Sequence, residues 1–337
     1  MSEVMSLRLA CVLLALPMIL GCAGLKPRLV DASVQKPSNV AVYFTVDTRD
    51  GEPVPGLTAD KFNIYEDAKL VSPFESKQTI LNPEVAAMHY LLLLVDMSAS
   101  VTQSGQKNVL EEAVARFTDR VGQYQQTAIY GFDGRSEIVP LRGFAPGKAG
   151  PASLASFQLK DPSTNLNGAV VEAIKVLEKQ IEKSPVPLRF GTLVVFTDGT
   201  DHAARVSAAN LKAALDRVNF EVFVIGVGAE VQEAELQAIG RSGASLSHDP
   251  AAVGTTFDQV AARIEGFSKR YYLLSYCSPA RAGTHELKIE PVAPDGKTGA
   301  LTYLFSAEGF GPECDPNRKP SFDVRHPKAP PATAAAK

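Results

Sequence analysis

The chain has 337 residues, room for about two domains, and sets 34 Lys and Arg against 37 Asp and Glu. A net charge of −3 excludes the basic surplus of a nucleic-acid-binding protein and the acidic bias of a disordered tail. With 45% apolar residues, 21% charged residues and four cysteines, the composition is that of a globular chain with a true core, not a disulfide scaffold.

Leu9 to Leu20 carries no charge. As a helix it would span about 18 Å, well short of the ~30 Å bilayer core. That length suits the apolar region of a signal peptide with Arg8 as its positive flank; a buried core helix is the alternative. The following Ile19-Leu20-Gly21-Cys22-Ala23 resembles the bacterial lipobox. The resemblance implies that residues 1–21 are removed as a lipoprotein signal peptide and that Cys22 carries the lipid. Ala23 replaces the Asp associated with inner-membrane retention, which points to an outer-membrane anchor in the cell envelope, on either side. The acyl chains would supply the membrane affinity without a spanning segment. Cys11 would leave with the signal. Cys277 and Cys314 would stay in an oxidising compartment, either paired or as two buried thiols; neither has the C-x-x-C spacing of a redox or zinc site.

Residues 22–37 lack apolar periodicity and read as a tether. Residues 38–86 read as a β segment: Val40, Val42, Phe44 and Val46 alternate as in a half-buried strand, and Phe62–Tyr65 and Pro73–Ile80 give two more. The pattern changes at residue 87. Tyr90–Val95 is a continuous apolar run, as in a parallel strand buried on both faces. Val109, Leu110, Ala113, Val114, Phe117 and Val121 follow at helical spacing. Strands at 128–132, 190–196 and 221–227 and an edge strand near Ile138 then alternate with helices marked by Val170–Ile181, Leu211–Leu215, Leu236–Ile239 and Phe257–Ile264. Such alternation predicts a doubly wound, mainly parallel α/β sheet over 87–268. Residues 269–314 return to β patterning. Each flank is thin for a core of its own, so the two together are expected to form one small β-sandwich into which the α/β domain is inserted. Residues 315–337, rich in Pro, Ala and Lys, read as a disordered tail.

Asp96-Met97-Ser98-Ala99-Ser100 follows the strand ending at Val95. A D-x-S-x-S carries little alone; its place at the carboxyl end of a parallel strand, where open sheets bind ligands, carries more. Thr197-Asp198-Gly199 follows Leu193–Phe196 at another strand end, and Thr164 lies in the polar loop Asp161–Asn167 just before a helix. Three loops can therefore converge. In these residues the chain resembles a von Willebrand factor type A domain with a metal-ion-dependent adhesion site, over about 87–268. The resemblance implies Asp96, Ser98, Ser100, Thr164 and Asp198 as ligands of a divalent cation, with Ala99 where Gly is commoner. It also implies an acidic side chain of a partner protein at the ion. Two carboxylates and three hydroxyls are hard oxygen donors that suit Mg²⁺, with Mn²⁺ or Ca²⁺ as alternatives, rather than zinc or copper. The competing reading makes Ser100 and Thr164 helix caps and Asp198 a turn residue.

Gly226-Val227-Gly228 lacks the third glycine of a dinucleotide fingerprint, the position being Val231, so no nucleotide is expected. The five histidines (His89, His202, His248, His285, His326) are scattered; His202 either edges the site or is a solvated loop residue. No G-x-S-x-G elbow and no general base beyond the ligands appear, which argues against an enzyme. The expected function is a lipid-anchored, metal-dependent protein-binding module. The alternative is an envelope scaffold in which the ion only stabilises the site loops.

Overall fold

The computed structural model describes residues 24–103, 107–146, 154–230 and 232–322. Residues 1–21, expected to be a signal peptide, and Cys22, the expected lipidation site, lie outside these residues, as do Val231 and 323–337. The chain begins with the strands β1 (Leu25–Gln35), β2 (Asn39–Thr48), β3 (Phe62–Glu66), β4 (Lys69–Leu70) and β5 (Thr79–Leu81). Alternation follows: β6 (Ala87–Asp96), α1 (Ala99–Gln103), α2 (Lys107–Val121), β7 (Gln126–Phe132), β8 (Val139–Ala145), α3 (Leu166–Glu182) and β9 (Leu188–Thr197). It continues with α4 (Ala208–Arg217), β10 (Glu221–Val227), α5 (Glu233–Ile239), β11 (Gly243–Ser247) and α6 (Val253–Lys269). The strands β12 (Tyr271–Cys277), β13 (Thr284–Pro291) and β14 (Leu301–Ser306) close the order.

The central sheet has the order β11-β10-β9-β6-β7-β8 and is parallel except for the edge strand β8. The apolar run of β6 divides by parity. Leu91, Leu93 and Val95 pack with α2 and α6, through residues such as Phe117 and Phe257. Tyr90, Leu92 and Leu94 pack on the other face with α3, α4 and α5. Because side chains alternate along a strand, such a run must find apolar cover on both sides, and helices supply it. From β6 the chain builds outward through β7 to β8, then crosses back to place β9 on the other flank of β6. The carboxyl ends of β6 and β9 are thus the topological switch point, where a crevice opens between diverging crossovers.

Two four-stranded antiparallel sheets, β1-β2-β12-β5 and β14-β13-β3-β4, face each other as the expected sandwich. Val40, Val42, Phe44 and Val46 of the first meet Ile64, Leu287, Ile289 and Phe305 of the second. Strand β12 pairs along β2 from Tyr271↔Thr45 to Cys277↔Asn39, so both flanks of the chain build one sheet. Cys277 and Cys314 are joined as a disulfide, with Cα atoms 5.8 Å apart.

Several sequence expectations need correction. The tether at 22–37 is largely strand: β1 pairs with β2 over Leu25–Gln35. Its residues are mostly half-buried, so the backbone ladder, not side-chain periodicity, holds it. Strand β2 is buried on both faces, not one, because Ala41 and Tyr43 pack against the base of the α/β domain at Ala87, Leu188 and Phe190. Of the strand expected over Pro73–Ile80 only Thr79–Leu81 forms. Ser72–Gln78 is a turn closed by Ser76 N to Ser72 O at 3.0 Å and Gln78 N to Pro73 O at 3.1 Å. The tail expected from residue 315 is packed as far as Phe322, which is 6% exposed and set edge-on to Tyr43. Backbone anchors explain this: Arg318 donates to Lys36 O at 2.6 Å and Ser321 N to Ser33 Oγ at 2.9 Å.

Candidate metal centre

Strand β6 ends in Asp96, whose side chain is fully buried. Its Oδ1 accepts from Ser98 N at 3.0 Å, and its Oδ2 accepts from Thr197 Oγ1 at 2.7 Å. The first bond is local and closes the turn after the strand. The second comes from the last residue of β9, the neighbour of β6 in the sheet. Ser98 Oγ lies 3.1 Å from Ser100 Oγ, and Ser100 Oγ donates to Asp198 Oδ1 at 3.0 Å. A continuous chain of oxygens therefore joins the D-x-S-x-S loop to the T-D-G turn.

Thr164 is 3% exposed in the third loop, which is stitched to the other two. Ala99 N donates to Pro162 O at 3.1 Å, and Ala203 N, beyond the T-D-G turn, donates to Thr164 O at 2.9 Å. All five predicted residues thus lie in or beside three loops tied at one end of the sheet. The capping reading fails for two of them. Ser100 sits inside α1 and gives its hydroxyl proton to Asp198, while the residue at the N-cap of α3 is Asn165, not Thr164.

The electrostatics are those of an anionic pair short of a counter-charge. Burial, and then the nearby charge of Asp198, pushes the Asp96 carboxyl up to about 7, against the pull of the Thr197 and Ser98 hydrogen bonds. Asp198, half-buried, is raised by its own burial and by Glu230, while the Ser100 hydroxyl lowers it. A bound cation would offset both causes of the Asp96 shift. Among the described residues no three His, Cys, Asp or Glu side chains gather as a cation cluster. The candidate set instead takes three of its five oxygens from hydroxyls. Those donors are hard, uncrowded by sulfur or imidazole, and fit Mg²⁺, Mn²⁺ or Ca²⁺.

Two further residues, quoted within motifs in the sequence, take roles there that the sequence did not assign. Thr197 orients Asp96; its place directly before Asp198 was visible, but its partner depends on strand pairing. Gly228 brings the end of β10 against the site: a Cβ there would lie 2.6 Å from Asp198 O. The G-x-G it belongs to is a close backbone approach to the aspartate loop, and Gly228 N donates to Ser247 O at 2.9 Å. His202 is exposed, with Nε2 3.1 Å from Glu230 Oε2, at the edge of the site and outside the oxygen chain.

The family model of the von Willebrand factor type A domain matches residues 91–261. No curated protein matches the chain. Among solved structures, the chain is similar to a von Willebrand factor type A protein from Catenulispora acidiphila, at 11% identity and a TM-score of 0.42, over 85% of this chain and 74% of that one. It is also similar to proximal thread matrix protein 1 from the mussel byssus with a zinc-occupied MIDAS motif, at 15% identity and a TM-score of 0.39, over 58% of this chain and 49% of that one. A third is the manganese-loaded TRAP protein of Plasmodium vivax, at 12% identity and a TM-score of 0.38, over 75% of this chain and all of that one. With half of the sequence matched to the family model, the chain belongs to the von Willebrand factor type A domain family.

Proposed function

We propose that this protein is a lipid-anchored module of the cell envelope that holds a divalent cation, Mg²⁺ in the first instance, at Asp96, Ser98, Ser100, Thr164 and Asp198. Through that site it binds an acidic side chain of a partner protein. The observation that carries the reading is the hydrogen-bonded chain Asp96–Ser98–Ser100–Asp198 at the switch point of the sheet. It gathers two carboxylates and two hydroxyls from separate loops where burial and like charge leave Asp96 in want of a positive neighbour.

When bound, the cation supplies a positive centre that a carboxylate from outside can approach. The chain's residues do the rest. Thr197 and Ser98 N fix Asp96, Ser100 fixes Asp198, and the Ala99–Pro162 and Ala203–Thr164 bonds hold the middle loop against both. Donors preset in this way lose little freedom on binding. Anchoring through Cys22 would leave the site end of the sheet directed away from the sandwich, and among the described residues no helix is long and apolar enough to cross a membrane.

The test is titration calorimetry with Mg²⁺, joined to a crosslinking pull-down from membranes with Mg²⁺ or chelator. Wild type is expected to bind Mg²⁺ and to capture a partner that chelator releases. Asp96→Asn and Asp198→Ala are expected to do neither while melting cooperatively. Mg²⁺ binding by both variants, or capture unchanged by chelator, would overturn the proposal. Mg²⁺ that raises the melting temperature without any cation-dependent partner would favour the scaffold reading.

A further inference from the structure

Beside the candidate metal centre opens an apolar slot of about 230 Å³. Ser100 and Asp198, two of the five candidate ligands, form part of its wall. Deeper in, the wall is Leu110 of α2, Phe196 of β9, Val227 of β10 and Val253 of α6, each no more than 3% exposed by its own surface. These four belong to the core between the sheet and the α2–α6 face. The slot therefore sits against the upper end of that core and shares part of its wall with the site. At its mouth stand the small, exposed Ala229 and the exposed Glu230, the latter paired with His202.

Side chains without polar atoms offer water no hydrogen bonds, so an apolar occupant is favoured over solvent. An apolar cavity of about 150 Å³ already admits a benzene ring, so this one has room for a Leu, Met or Phe side chain. A segment that brings a carboxylate to the cation must lie over Ser100 and Asp198, and hence over the mouth. Successive residues of an extended chain advance by about 3.3 Å, so a neighbour of the acidic residue can reach down into the slot.

We propose that the partner segment carries a medium-sized apolar side chain, Leu, Ile, Met or Phe, within two residues of its acidic one, and that this side chain enters the slot. The proposal specifies the partner of the site described above and rests on that reading. The charge contact sets register and encounter; the buried apolar anchor slows release and selects among the many acidic segments an envelope offers.

The test pans phage-displayed peptides with one fixed Asp against the full chain in Mg²⁺ and elutes with EDTA. The eluted clones are expected to be enriched in Leu, Ile, Met or Phe within two residues of the Asp. Synthetic copies should lose about tenfold in affinity when that residue becomes Ser. Ala229→Phe, at the exposed mouth, and Val253→Phe, at the wall, should each erase this difference while keeping the Mg²⁺-dependent binding of the Ser copy. Circular dichroism checks their folding, and the wild-type comparison stands without them. EDTA-eluted clones with no apolar preference would overturn the slot and leave the cation reading intact. No EDTA-eluted clones at all would overturn both.

Discussion

Asp96 is buried on every side, and its position is set by groups that the chain brings from two strands. Its own loop supplies Ser98 N, while β9 supplies the Thr197 hydroxyl. Removing that hydroxyl leaves one carboxylate oxygen without its donor and frees the side chain to turn. Thr197→Val is therefore expected to weaken Mg²⁺ binding about tenfold, as loss of an outer-shell partner does, while Asp96, Ser98 and Asp198 remain. Titration calorimetry of the variant beside wild type checks this. The five candidate residues could be singled out because Asp96, Ser98, Ser100 and Asp198 lie in short motifs at strand ends and Thr164 in a polar loop just before a helix. The roles of Thr197 and Gly228 could not be read, because they exist only once β9 stands beside β6 and β10 beside β9. A glycine that clears space for Asp198 carries the same letter as one that cradles a phosphate.

Elements with strong periodicity were placed correctly along the chain, though the burial of β2 was not, and β1, without periodicity, was missed. The apolar run of β6 declared a strand covered on both faces. Strand β1 is stabilised by pairing with β2 and shows no alternation to read. Strand β2 was taken as half-buried because the short side chain of Ala41 and the hydroxyl of Tyr43 concealed a second packed face. Helices α2 and α6 illustrate a contact that periodicity cannot show. Arg120 of α2 donates to Glu265 of α6 at 2.8 Å, and Lys269 pairs with Glu265 one turn on. Lys269 and then Arg120 hold the Glu265 carboxyl down to about 2. A carboxyl whose folded value is depressed adds stability above its unfolded value, near 4.5, and loses it as pH falls through about 2. Screening and side-chain entropy limit such a partly exposed bridge to about 1 kcal/mol. Glu265→Gln should thus cost about that much at neutral pH, and the gap to wild type should close between pH 4.5 and 2 in urea denaturation.

At the scale of the molecule, the sandwich and the α/β domain meet in one aromatic and charged seam. Tyr43 stacks on Phe190 and Tyr271, with centroids 6.1 and 5.6 Å apart, and His89 stacks on Phe190 at 4.8 Å. Arg270, between α6 and β12, reaches Glu221 of β10 at 2.8 Å and Asp47 of β2 at 3.6 Å, so one guanidinium serves both units. Burial raises the Asp47 carboxyl even with Arg270 beside it. Arg270→Ala would strand a buried acid and is expected to cost about 3 kcal/mol in thermal unfolding. The disulfide acts elsewhere, tying the end of β12 to the chain beyond β14. Cys277→Ser should destabilise by roughly 4 kcal/mol on the loop-entropy argument, and calorimetry of the reduced wild type should show a similar loss. The Arg270 contact could not be read from spacing, since it joins residues that only the finished sandwich brings together. The cysteine pair was one of the two readings the sequence left open, and the disulfide bears it out.

Strand β5 and strand β12, which flank the inserted domain in the chain, are themselves paired, Leu81 opposite Leu273. Neighbouring strands lie about 4.8 Å apart, so the host closes upon itself across the gap through which some 180 residues pass. The ten residues of β6 then carry the loops of the candidate site about 30 Å from that gap. This is the geometry of a plug and socket. The host holds its insert by two neighbouring strands and a packed seam at the base, so the loops at the far tip can vary without disturbing a single pair in the sandwich.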